Sequence, residues 1–209
     1  MQPSFLLENH HKKRIVAGID EAGRGPLAGP VVAACAILNR RQKISGINDS
    51  KKLSKIERKK IFLELKNSAK FGVGIVDEKI IDEINILQAT KLAMFRAYQD
   101  LQQKHDIFAE VILVDGNFIP FEKCDKITDI ISVIKGDCQS FSIAAASIIA
   151  KETRDEIMCE LHQKYPQFGF EQHAGYGTKF HLEAIEKFGI CEYHRKSFDP
   201  IKSMLHAGN

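Results

Sequence analysis

The chain has 209 residues, of which 44% are hydrophobic, 27% charged and 8% aromatic, a balance that excludes disorder and fits one globular domain with a core large enough to hold a rigid site. Its longest apolar stretch, Leu27 to Leu38, is interrupted by Gly29 and Pro30, and Met1 to Leu7 carries no basic leader. Neither a membrane span nor a secretory signal is therefore expected, and the cytoplasm is the default compartment. The net charge of +3 is unevenly spread: residues 1–66 hold 14 Lys and Arg against 6 Asp and Glu, whereas residues 67–209 hold 16 against 21. A basic half of this kind either attracts a polyanion or forms a solvated helix face.

In chain order, Arg14–Ile19 and Val31–Leu38 are apolar, partly β-branched runs separated by the Gly- and Pro-rich segment Glu21–Pro30, which reads as strand, loop, strand. Ser54 and Glu57 have the spacing of a capping box and open a basic helix with Ile61, Phe62 and Leu65 on its apolar positions. A third strand is expected at Phe71–Val76, then helical sequence from about Glu78 to Lys104 with a break near Asn85. Val111–Val114 is a continuous apolar run ending at Asp115-Gly116, as in a strand buried on both faces. Ile130–Ile134 is a fifth strand; Lys135-Gly136-Asp137 follows, then helices over about Ser140–Lys164 and Thr178–Phe188, and a polar tail. Strands first and then strands alternating with helices predict an α/β fold, a mixed sheet covered by helices. The five cysteines, Cys35, Cys124, Cys138, Cys159 and Cys191, are scattered without a C-x-x-C pair, which fits reduced thiols and not a zinc site. His173, His181 and His194 also lack tight ligand spacing and are assigned no metal.

Three strands end in acids or run into them: Ile19 into Asp20-Glu21, Val114 into Asp115, and Ile134 through Lys135-Gly136 into Asp137. Ligand sites gather beyond the carboxyl ends of parallel strands, so these acids can converge. Two like charges 4 Å apart repel by about 4 kcal/mol at an effective dielectric of 20, so a cluster needs divalent cations to stay ionised. An all-oxygen donor set selects Mg²⁺ or Mn²⁺ and suits phosphodiester hydrolysis. Taken singly, Asp115-Gly116 also reads as a turn, and Asp137 as favourable charge near a helix N-terminus. Asp20 and Glu21, as neighbours on a strand, can face one site only if the strand ends between them.

The segment Gly23-Arg24-Gly25-Pro26 fits neither a P-loop nor a dinucleotide fingerprint. Its glycines allow backbone groups to approach a ligand closely enough to test for a 2′-hydroxyl, and Arg24 offers a phosphate-compatible fork; a tight turn before a strand is the plain alternative. Lys51 and Lys52 stand ahead of the basic helix, placed for phosphate contacts or for solvent. Gly175-Tyr176-Gly177 presents a ring between two flexible residues, able to stack on a sugar or base. The run of small residues in Ser140–Lys151 permits close approach by a sheet or by a nucleic-acid backbone, core packing being the plainer reason for most of it.

In order and over residues 14 to 198, the motifs Ala17–Val31, Asp49–Leu53, Val114–Gly116, Lys135–Asp137, Ala144–Lys151 and Gly175–Thr178 resemble the bacterial type 2 ribonucleases H, the ribonuclease HII family. The resemblance implies an RNase H-like mixed five-stranded sheet in a single domain over 1–209, with residues 165–209 a C-terminal helical extension and tail. It implies a metal-dependent endonuclease that cuts RNA in RNA–DNA hybrids. Incision on the 5′ side of a single ribonucleotide in duplex DNA is implied as well, leaving 5′-phosphate and 3′-hydroxyl ends. It places the metal-binding catalytic acids at Asp20, Glu21, Asp115 and Asp137, with two Mg²⁺ or Mn²⁺ ions. The junction-sensing loop falls on Gly23, Arg24 and Gly25, the junction tyrosine on Tyr176, and a phosphate-contacting lysine on Lys51 or Lys52. A monomer is expected. Cys138, beside a ligand, raises the expectation of oxidation sensitivity.

Two other readings compete. The related ribonuclease HIII group prefers continuous hybrids and carries an extra N-terminal domain, for which the 13 residues before the first strand are too few. A non-catalytic nucleic-acid binding module would use the same basic half, but four acids at the phosphate site oppose binding without metal.

Overall fold

The computed structural model describes residues 2–41, 46–47, 53–123 and 126–207. Its five-stranded sheet has the order β3-β2-β1-β4-β5. Strands β1 (Val16–Ala22), β2 (Val31–Ile37) and β3 (Lys70–Val76) form an antiparallel meander; β4 (Val111–Asp115) pairs parallel with β1, and β5 (Asp129–Val133) parallel with β4. The helices are α1 (Leu6–His10), α2 (Lys55–Ser68), α3 (Glu78–His105), α4 (Phe141–Lys164), α5 (Phe170–His173), α6 (Lys179–Phe188) and α7 (Ile201–Ala207).

Alternation along the central strands divides the core. Ala17, Ile19, Ala33, Cys35, Ile112 and Val114 face α3. Ala34 and Ala36 face α4 and α2, while Val16, Val111 and Leu113 pack on Ile143 of α4. Covered on both sides, β1 and β4 have no polar face to alternate with, which is why they read as unbroken apolar runs. The small residues of α4 serve the same packing. At Gly18 a Cβ would stand 2.2 Å from the Ser142 backbone, so glycine is required where β1 and α4 cross.

Local signals are realised as their chemistry dictates. Ser54 and Glu57 form the reciprocal capping box of α2, and Ser140 and Thr178 cap α4 and α6. Asn85 interrupts α3 at φ 66°, and its Oδ1 accepts from the Leu87 and Gln88 N–H groups, restarting the helix beyond the break. Ile134 lies past the edge strand β5 and is exposed.

The expected polar tail is a correction: residues 190–207 fold back onto the body. His194, Arg195 and Ile201 are buried, and a third apolar cluster joins Leu27, Met158, Phe168, Phe170 and Ile185 to Ile201. Composition concealed this because two of the buried side chains, His194 and Arg195, are polar, and the Arg195 guanidinium is satisfied by distant backbone carbonyls. Cys35, Cys159 and Cys191 are free thiols; Cys124 lies outside the described residues. Among the described residues no helix is long and apolar enough to cross a membrane.

Candidate active site

Parallel pairing of β1 with β4 runs from Val16↔Val111 to Ile19↔Val114 and stops there. Asp115, the last residue of β4, is thus level with Asp20 on the neighbouring strand, and both side chains lie on the α4 side, in register with Gly18 and Leu113. Asp20 is buried. Burial raises its pKa well above the usual carboxylate range, the charges of Glu21 and then Asp115 raise it further, and hydrogen bonds from Ser147 and the Glu21 N–H oppose the rise.

The strand does not end between Asp20 and Glu21, contrary to expectation, since β1 continues to Ala22 against β2. What ends is the β4 ladder. Beyond Ile19 the sheet is open on that side, so Glu21, despite its opposite parity, reaches the same cavity. That cavity, of about 330 Å³, is lined by Asp20, Glu21, Asp115, Gly23, Arg24, Gly25 and Tyr176. Four further residues line it that sequence reasoning missed: Arg58, Ser147, Lys151 and Arg154.

Asp137 sits in the short 3₁₀ turn Gly136–Cys138 and is buried. It is not among the residues lining the cavity, but its neighbour Gly136 donates its N–H to Asp115 Oδ1 at 2.6 Å, which fixes the turn against the end of β4. Lys51 and Lys52 lie outside the described residues.

Arg24 reaches Glu21, Nη1 to Oε1 at 3.4 Å, and lies over the Phe118 ring. Among the other lining residues, Arg58 (3.0 Å) and Lys151 both pair with Asp155, while Glu152 takes Arg58 Nε at 2.5 Å. The Lys151–Asp155 pair has visible i,i+4 spacing; the approach of Arg58 from α2 has no local signal. Tyr176 is half exposed, and its ring flanks Gly25, where a Cβ would lie 3.5 Å from Cε1.

Buried Arg154 donates to the carbonyls of Pro30 (2.9 Å), Ala28 (3.0 Å) and Ala174 (2.9 Å). Gly23 adopts φ +95° against it, and a Cβ there would fall 2.1 Å from Arg154 Nε. This position therefore requires glycine for both conformation and space.

The donor set of Asp20, Glu21 and Asp115 is all oxygen, mutually repelling and set beside a cavity, which fits hard divalent cations by charge and chemistry. Among the described residues, no group of three His, Cys, Asp or Glu side chains stands arranged to hold an ion as it is. The carboxylates flank the cavity as separate arms; one oxygen of Asp20 accepts from the Glu21 N–H at 2.7 Å, and one of Asp115 from Gly136.

The family model described as Ribonuclease HII matches residues 17–201, which contain every one of these side chains. The chain belongs to the ribonuclease HII family. Ribonuclease HII of Chlamydia trachomatis serovar A is 52% identical over 195 residues, covering 92% of this chain and 86% of its own. Ribonuclease HII of Bacillus thuringiensis is 55% identical over 191 residues, covering 91% and 71% respectively. The crystal structure of ribonuclease H2 from Pyrococcus horikoshii superposes with a TM-score of 0.73 at 28% identity, over 92% of this chain and 97% of that one. Membership of the ribonuclease HII family makes the protein a hydrolase, an endonuclease of the ribonuclease H type, and the five-stranded mixed sheet flanked by helices is the RNase H-like fold expected from the sequence.

Proposed function

We propose that the protein hydrolyses phosphodiesters of RNA in RNA–DNA hybrids and on the 5′ side of single ribonucleotides in duplex DNA, leaving 5′-phosphate and 3′-hydroxyl ends. The observation that carries this reading is the lining of one cavity, where Asp20, Glu21 and Asp115 meet Gly23, Arg24, Gly25 and Tyr176. Asp20, Glu21, Asp115 and Asp137 are the residues that hold divalent cations, Mg²⁺ or Mn²⁺. When bound, such ions activate water and offset the charge that builds on the phosphate and the leaving oxygen.

The chain's own groups supply the rest. The Gly136 and Glu21 N–H groups hold Asp115 and Asp20 in orientation, each by one oxygen. Arg24, now paired with Glu21, exchanges that partner for a backbone phosphate. Arg58 and Lys151, now paired with Glu152 and Asp155, add cationic groups to the lining that can turn to a phosphate. Gly23 and Gly25, free of side chains, admit the sugar to backbone contact, where a 2′-hydroxyl distinguishes ribose. The half-exposed Tyr176 ring packs on the adjoining deoxyribose. Lys51 or Lys52 adds a phosphate contact.

The test is to incubate purified protein with Mg²⁺ or Mn²⁺ and duplexes containing none, one or several ribonucleotides, and to map the cuts. Incision 5′ to a lone ribonucleotide as well as within continuous hybrid is expected. Cleavage of continuous hybrid alone would replace the junction reading with a ribonuclease HIII-like specificity, and binding without cutting would refute catalysis.

A further inference from the structure

The Gly23–Gly25 loop and the Tyr176 loop lie about 150 residues apart in sequence, yet both rest on one dipeptide, His194-Arg195. The Arg195 side chain is wholly buried and spends its donors on backbone carbonyls. Nη2 donates to Gly23 O at 2.6 Å and to Gly29 O at 2.8 Å, Nη1 to Arg24 O at 3.1 Å and Nε to Gly29 O at 2.9 Å. Its own N–H donates to Leu27 O at 2.8 Å, and Leu27 in turn donates to Gly175 O at 2.8 Å.

His194 reaches the other loop through His181. Its Nε2 lies 3.1 Å from His181 Nε2, and His181 Nδ1 lies 2.9 Å from the Tyr176 carbonyl. A carbonyl only accepts, so His181 carries its proton on Nδ1 and accepts at Nε2. His194 must then donate from Nε2, leaving its Nδ1 to accept the Cys191 N–H at 2.9 Å. With both rings neutral, this arrangement of protons pairs all four ring nitrogens between the Cys191 N–H and the Tyr176 carbonyl, and Cys191 Sγ lies 3.1 Å from His194 Nδ1 as well. Burial holds both imidazoles neutral, pushing each pKa down to about 4.

We propose that His194 and Arg195 are positioning residues for substrate discrimination, locking the Gly23–Gly25 backbone and the Tyr176 loop into one rigid unit. Neither side chain lines the cavity; both act through the groups that do. The guanidinium gathers the carbonyls of Gly23, Arg24 and Gly29 inward, which fixes the face that the loop turns to the cavity. The histidine pair fixes the backbone from which the Tyr176 ring projects. The consequence for discrimination rests on the reading of Gly23–Gly25 and Tyr176 as the junction sensor, whereas the rigid unit itself does not.

The experiment is Arg195→Lys in the full chain, which keeps the charge but cannot reach carbonyls on both sides as a planar fork does. Amide hydrogen exchange is followed over residues 23–29 and 174–178, alongside kcat and KM on a single-ribonucleotide duplex and on a continuous hybrid. Exchange in both loops should rise at least about tenfold while β4 stays at wild-type protection. The preference for the single ribonucleotide should fall by roughly 10- to 100-fold, mainly in kcat, as expected for displaced substrate-positioning groups. Unchanged exchange, or loosening confined to one loop, overturns the proposal.

Should Arg195→Lys fail to fold, His181→Leu and His181→Asn decide the matter. Leu removes the donor to Tyr176 and should loosen that loop, whereas Asn keeps a donor near the place of Nδ1 and should restore it; equal exchange in the two variants overturns the proposal. Tyr176→Ala separates the two ideas. If it leaves substrate preference unchanged while Arg195→Lys still loosens both loops, the junction reading has failed and the rigid unit stands.

Discussion

Replacing Asp20 by Asn should make the metal-free protein more stable and nearly inactive. Asp20 and Asp115 stand level on adjacent strands, and carboxylates about 5 Å apart repel by roughly 3 kcal/mol at an effective dielectric of 20. Burial and the charge of Glu21 disfavour the ionised side chain as well, and the bonds from Ser147 and the Glu21 N–H offset part of the whole, so Asn should be the more stable by about 1–2 kcal/mol, or a Tm about 2–8 °C higher in a chain of this size. The sign with pH follows. Because the folded pKa is raised, the protonated side chain favours folding below the unfolded value, and this contribution is lost as pH rises through the folded value. The Asn variant lacks that loss. The assay is thermal unfolding in chelator across pH, then with Mg²⁺ added, beside turnover on hybrid. Mg²⁺ should raise the wild-type Tm more than that of the variant, and turnover should fall by orders of magnitude, at least about 100-fold. An Asn variant that melts at or below wild type in chelator refutes the electrostatic argument, and one with wild-type turnover removes Asp20 from the chemistry.

Gly23→Ala combines left-handed strain with displacement of Arg154 from its carbonyls, and should cost at least about 2 kcal/mol, read as a lower urea midpoint at unchanged slope; a wild-type midpoint counts against the packing described. His181 and His194, both held near pKa 4, contribute stability that is complete above the unfolded value of about 6.5 and lost as pH falls toward 4. Acid melts of His181→Asn should show a shallower decline, and a slope equal to wild type would exclude the pair as its source. Hybrid binding should weaken linearly in log K against log salt; a flat response would show that Arg24, Arg58 and Lys151 make no phosphate contacts.

The sequence alone carried the secondary structure wherever its chemistry is local. The capping box at Ser54, the break at Asn85 and the apolar runs of β1 and β4 each depend on neighbours within a few residues, so each could be read directly. The acids were legible for a related reason, because a strand buried on both faces makes a carboxylate at its end conspicuous. Long-range chemistry was not legible. Arg154 and Arg195 look like ordinary surface cations in sequence, since nothing local reveals that their partners are backbone carbonyls of other segments, most of them more than 100 residues away. The segment 190–207 read as a polar tail for the same reason. Whether Glu21 could join Asp20 depended on where the β4 ladder stops, a matter of register between strands about 95 residues apart, and only the packed sheet decides register. Composition and periodicity thus determined the elements and the acids at their ends. Tertiary packing decided which acids share a cavity and which buried side chains hold the loops around it, because those contacts join residues with no proximity along the chain.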